Sequence, residues 1–192
     1  MEATYYFDPT CPFTWRTSRW LVSVVAERDV TVRWRAFSLS ILSGGDAPEQ
    51  YRPMMAASSR ALRLVEALAA DGRNDAVAAF YTEMGNRTFE ADTALDHDIV
   101  LASAEAAGIA DAKAVLDDAS WDDAVRASHE TAFTSAGPDI GSPVLAIEGA
   151  PRGVHGPIIA EVPERAEALA IWDAVVPLAR SATFFEIKRG RR

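Results

Sequence analysis

Phe7-Asp8-Pro9-Thr10-Cys11-Pro12-Phe13-Thr14-Trp15 is the stretch on which the fold turns. Before it, residues 3–7 are aromatic and β-favouring, and Asp8-Pro9 closes them as a short buried strand ending in a turn. After it, Trp15, Trp20 and Val24, with Leu21 and Val25, fall at helical spacing to about Glu27, with Thr10 as N-cap and Pro12 in the first turn. Cys11 therefore sits at a helix start, where exposed N–H groups and the positive end of the helix dipole favour a thiolate.

Val30-Thr31-Val32-Arg33-Trp34-Arg35-Ala36 then alternates apolar and polar residues and reads as a second strand. Strand, helix and strand in so short a span make a βαβ unit with parallel strands and a right-handed crossover. A turn-rich break at Ser43-Gly44-Gly45-Asp46-Ala47-Pro48 follows, and beyond it the pattern is helical, with stripes through Leu62, Val65, Phe80, Met84, Ile99, Val125 and His129. Strand signals return at Val144-Leu145-Ala146-Ile147 and Gly153-Val154-His155, a hairpin across Gly149-Ala150-Pro151. A last amphipathic helix starts near Pro163, and Pro177 is expected to kink or weaken its end. The order is βαβ, a helical insert, then ββα. The expected division is residues 1–45 and 138–192 as an α/β domain and residues 46–137 as an inserted all-helical domain.

Composition narrows the function. Nineteen basic against 28 acidic side chains give a net charge of −9, which argues against a nucleic-acid surface. The start of the chain lacks a charged-then-apolar leader, and no stretch is apolar enough to span a bilayer, so the expected location is cytoplasmic, with no membrane partner. Three dispersed histidines and one cysteine lack metal-ligand spacing, and no Gly-rich phosphate loop is present. One cysteine excludes an internal disulfide, so Cys11 is either an inert buried thiol or one that meets partners from outside.

The motif Phe7-Asp8-Pro9-Thr10-Cys11-Pro12-Phe13-Thr14-Trp15, with Ser18-Arg19-Trp20 one turn on, resembles the active-site segment of actinobacterial DsbA-like proteins related to mycothiol-dependent reductases. Further matches are Pro48-Glu49-Gln50-Tyr51-Arg52, Met84-Gly85-Asn86-Arg87, Ser128-His129, Gly141-Ser142-Pro143, Gly156-Pro157 and Phe184-Phe185-Glu186-Ile187-Lys188-Arg189. The resemblance implies a thioredoxin-like α/β fold with the helical insert. It also implies a thiol-disulfide oxidoreductase that uses a low-molecular-weight thiol, mycothiol, as cosubstrate, holds no tightly bound cofactor and forms a homodimer. By the same resemblance Ser142-Pro143 is the cis-proline loop facing Cys11.

One departure carries weight: dithiol members have Cys-Pro-aromatic-Cys, whereas Thr14 stands here in place of the resolving cysteine. With Cys11 alone, a mixed disulfide must be released by a second thiol molecule or a partner protein. Cys11 and Thr14 are the expected catalytic pair, with the Thr14 hydroxyl a candidate donor to the thiolate. Pro12, Phe13, Trp15, Ser142, Pro143, His129, Asn86 and Arg87 are the expected thiol-binding residues, and Arg16, Tyr51 and Arg52 weaker candidates. His129 lies in an apolar stripe, so a buried structural histidine is the competing reading; His155 lies nearer the site, His97 reads as solvated, and residues 188–192 as a solvated basic end. Thr14 also keeps open a thiol transferase or isomerase like the kappa-class glutathione transferases, acting on an electrophile. Loss of the second cysteine keeps open a redox-inactive binding module.

Overall fold

The computed structural model describes residues 1–190; Arg191 and Arg192 of the basic end lie outside the described residues. Strand β1 (Glu2–Phe7) leads through Cys11 into helix α1 (Pro12–Arg28), and β2 (Thr31–Ala36) returns parallel to β1. Burial follows the predicted alternation, since Val32, Trp34 and Ala36 are buried while Thr31 and Arg33 are exposed. The N-cap of α1 is Cys11 rather than Thr10. Pro12 opens the first turn, and the Thr10 hydroxyl is committed elsewhere, donating to Asp8 Oδ1 at 2.7 Å.

Between β2 and the hairpin the chain is helical: α2 (Leu39–Leu42), α3 (Arg52–Ala70), α4 (Asn74–Gly85), a π-helical turn (Asn86–Glu90), α5 (His97–Ala106), α6 (Ala112–Asp117) and α7 (Asp122–Ala136). Strands β3 (Val144–Ile147) and β4 (Val154–His155) complete a four-stranded sheet of order β2-β1-β3-β4, with β3 antiparallel to both β1 and β4. Helix α8 (Arg165–Arg180) closes the fold and runs on through Pro177, which falls in its last turn and ends neither the helix nor its register.

The aromatic residues that marked the strands bind the layers together. Trp34 lies 5.3 Å from Tyr5, edge to face, and Tyr81 of α4 stacks on Phe7 at 3.9 Å, so α4 packs directly on the sheet. On the other side Trp20 of α1 meets Trp172 of α8 at 6.0 Å, and its indole N–H donates to the Ala168 carbonyl. The β2 edge is met by a side chain: Asn74 accepts from Trp34 N–H at 3.0 Å and donates to the Val32 carbonyl at 2.7 Å. Glu66 of α3, itself buried, takes the Ala36 N–H and a bidentate pair from Arg35. Among the described residues no helix is long and apolar enough to cross a membrane.

Candidate functional site

Parallel β1 and β2 carry the β1–α1 loop to one end of the sheet, and β3 begins at that same end beside β1. Cys11 and the Gly141–Pro143 loop, far apart in sequence, are thereby brought together. The Cys11 thiol is half-buried and donates to the Ser142 carbonyl at 3.6 Å. The Ser142-Pro143 peptide is cis, as the resemblance implied, and Gly156-Pro157 is cis as well. Pro12 is exposed and Phe13 partly so, and Arg16 places its guanidinium 5.9 Å from the Phe13 ring, so this rim faces solvent beside the sulfur.

Thr14 is elsewhere than expected. It is fully buried, and its hydroxyl donates to Ser142 Oγ at 2.9 Å, so it ties the two loops to each other instead of serving the sulfur. Its carbonyl accepts from the Tyr5 hydroxyl at 2.7 Å. Trp15 is likewise a core residue, 2% exposed, and forms no groove wall. Its indole N–H donates to Glu90 at 2.7 Å, Phe89 stacks on it at 6.1 Å, Tyr81 meets it edge-on at 5.6 Å, and the Arg19 guanidinium lies 4.2 Å over its ring. Asn86 and Arg87 start the π-helical turn that supplies Phe89 and Glu90, so they reach the site region through Trp15; Arg87 pairs with Glu83 at 3.6 Å.

His129 is buried at 3% exposure between Phe37 and Phe133, and its Nδ1 accepts from Ser38 N–H at 3.3 Å. That fixes the neutral ring with its proton on Nε2, and burial holds its pKa below the ordinary imidazole value. His155 is exposed on β4 opposite Val144, with its ring next to Gly141. His97 is exposed but faces the Arg60 guanidinium at 2.5 Å. Tyr51 and Arg52, where α3 begins, are both exposed. A cavity of about 260 Å³ between α3 and α7, lined by Arg35, Glu66 and Trp121, contains none of the residues named for the site. Among the described residues no cluster of three His, Cys, Asp or Glu side chains is placed to share a metal ion.

The residue that sequence reasoning missed is Asp8. Read as a turn former, it is fully buried, and its carboxylate accepts from Thr10 N–H, the Thr10 and Ser58 hydroxyls, and Leu39 N–H at 2.7–3.0 Å. Burial raises its pKa from the ordinary aspartate value, against the pull of those donors. Its signal lay in position alone, one residue after a strand and three before the cysteine.

The arrangement sets one half-buried thiol against a backbone carbonyl of the loop that leads into β3. The family model described as Rv2466c-like, mycothiol-dependent nitroreductase Rv2466c, matches residues 10–189. The Mycobacterium tuberculosis protein Rv2286c, itself uncharacterized, is 28% identical over 96% of this chain and 80% of its own. Among solved structures, a 2-hydroxychromene-2-carboxylate isomerase superposes with TM-score 0.60 at 14% identity, over 94% of this chain and 97% of that one. The cytosolic disulfide reductase DsbM of Pseudomonas aeruginosa gives TM-score 0.58 at 16% identity, covering 93% and 100%. The probable DsbA oxidoreductase SCO1869 of Streptomyces coelicolor gives 0.59 at 19%, covering 92% and 90%. These three likenesses establish a DsbA-like thioredoxin fold with a helical insertion.

Proposed function

Because the chain belongs to the Rv2466c-like family of mycothiol-dependent nitroreductases, we propose that it is a thiol-disulfide oxidoreductase working through the single sulfur of Cys11, with mycothiol as its small-thiol cosubstrate. The observation that carries the reading is the pairing of a half-buried thiol at the α1 N-terminus with the Ser142 carbonyl 3.6 Å away, while the position one turn on is a buried threonine. Cys11 caps α1 without taking an N–H of its first turn, so what the helix start brings to the sulfur is the positive end of its dipole.

In the first step the Cys11 thiolate attacks a disulfide RS–SR. A bond forms from Sγ to one sulfur as the S–S bond breaks, and RS⁻ leaves and takes a proton from water. The backbone on either side of Ser142 and the exposed faces of Pro12 and Phe13 receive the substrate in this scheme. In the second step a thiolate R′S⁻ from the cosubstrate attacks the outer sulfur of the mixed disulfide, making RS–SR′ and freeing the Cys11 thiolate. No proton donor inside the motif is required, consistent with a Thr14 hydroxyl that is already spent on Ser142.

Intact-mass measurement after incubating the reduced protein with mycothiol disulfide, and separately with glutathione disulfide, tests this. One mycothiol adduct, absent in Cys11→Ser and removed by free mycothiol, is the expected result. A thiol that alkylates readily but takes up neither disulfide overturns it in favour of a transferase or isomerase, and a thiol inert to both in favour of a binding module.

A further inference from the structure

Asp8 grips four parts of the molecule at once. Through its carboxylate it holds Thr10 within the loop, the Leu39 N–H at the start of α2 and the Ser58 hydroxyl of α3. Through its main chain it donates to Ser142 Oγ at 3.0 Å and accepts from Cys11 N–H at 3.2 Å. One residue thus fixes both the residue that bears the sulfur and the residue whose carbonyl faces it. Burying a carboxylate costs several kcal/mol unless its acceptor sites are filled, and a turn needs no such group. Leu39 and Ser58 are neutral partners, and the titratable groups that feel Asp8 electrostatically are Tyr81 from α4 and His129 from α7.

We propose that Asp8 is a positioning residue that holds the Cys11 loop and the Ser142 loop in the relative placement that disulfide exchange needs. The inference rests on the reading of Cys11 as the nucleophile. An extended disulfide must approach along the Ser142 backbone, so its reaction depends on that placement. A small alkylating agent needs only an accessible thiolate.

The test compares two second-order rates at Cys11, with 2-hydroxyethyl disulfide and with iodoacetamide, in wild type, Asp8→Asn and Ser58→Ala, with Cys11→Ser as blank. Asp8→Asn keeps the size of the side chain but turns one acceptor into a donor that must face Leu39 N–H or the Thr10–Ser58 cluster. The disulfide rate is expected to fall by about tenfold or more relative to the alkylation rate, because small misplacements of reacting groups are costly. Ser58→Ala, which removes one donor and leaves the loop otherwise intact, gives a smaller drop in the same ratio and serves if Asp8→Asn does not fold. An unchanged ratio in the folded variants, whether both rates hold or both fall together, overturns the inference and leaves the nucleophile reading standing. A wild-type Cys11 inert to both reagents sinks that reading and this inference with it.

Discussion

Gly85→Ala exposes how tightly the site is backed. In a helix of ordinary surroundings this change stabilises by about 0.5–1 kcal/mol, and Gly85 has helical dihedrals, φ −66° and ψ −39°, that alanine accepts. Here an added Cβ lies 2.1, 2.2 and 2.5 Å from three atoms of the Trp15 ring, inside any allowed contact. The indole cannot swing aside, being held by Glu90 at its N–H, Phe89 and Arg19 on its faces and Tyr81 at its edge. Overpacking of this kind costs about 1–3 kcal/mol, which reverses the sign of the usual effect. For a chain of this size that lowers the melting temperature by about 2–12 °C. Thermal unfolding by circular dichroism of Gly85→Ala, Trp15→Ala and the double variant measures it, and the double variant should be less destabilised than the sum, since one change removes the ring that the other meets. A Gly85→Ala protein as stable as wild type or more so, or strict additivity in the cycle, refutes the packing described here.

Thr14→Val keeps the volume but removes the donor to Ser142 Oγ, so unfolding in urea should register a loss of about 0.5–1.5 kcal/mol while mycothiol adduct formation at Cys11 persists; loss of the adduct with stability intact would put Thr14 back among the reacting groups. Glu66→Ala orphans the Ala36 N–H and the Arg35 guanidinium, and because Arg35 is partly exposed and can turn to water, the expected loss by urea titration is about 1–3 kcal/mol; no change would mean the pair contributes nothing. His129 responds to pH. Burial holds its folded pKa below the unfolded value, so its contribution is complete above about pH 6.5 and is lost as pH falls. Melting temperature between pH 8 and 5 should therefore drop less steeply in His129→Gln than in wild type, and parallel curves would contradict this.

Much of the scaffold was legible because it rests on local signals. Alternation in residues 30–36 and helical spacing from Trp15 to Val24 each bury what they predict. Cys11 and Pro143 could be paired only through the resemblance, because the residues between them hold no local trace of the contact. Asp8 stayed hidden for the same reason: its partners Leu39 and Ser58 lie 31 and 50 residues on, and an Asp-Pro pair after a strand already had a sufficient explanation as a turn. Helix α2 is four residues long, below what periodicity can reveal. Trp15 reads as amphipathic on spacing, and only the π-helical turn that brings Phe89 and Glu90 onto it shows why it is buried.

The side chain of Asn74 has a consequence beyond the strand it touches. A sheet grows by offering unpaired N–H and C=O groups to the next strand, and that offer is also how folded proteins begin to aggregate. By answering both Trp34 N–H and the Val32 carbonyl, the Asn74 amide occupies the outer rail of β2 as a strand one residue long. The opposite rail, β4, is two residues in length. An incoming extended chain therefore finds no long template on either flank. Deamidation of Asn74, or its replacement by aspartate, would turn a donor into an acceptor facing the Val32 carbonyl and reopen one side to self-association.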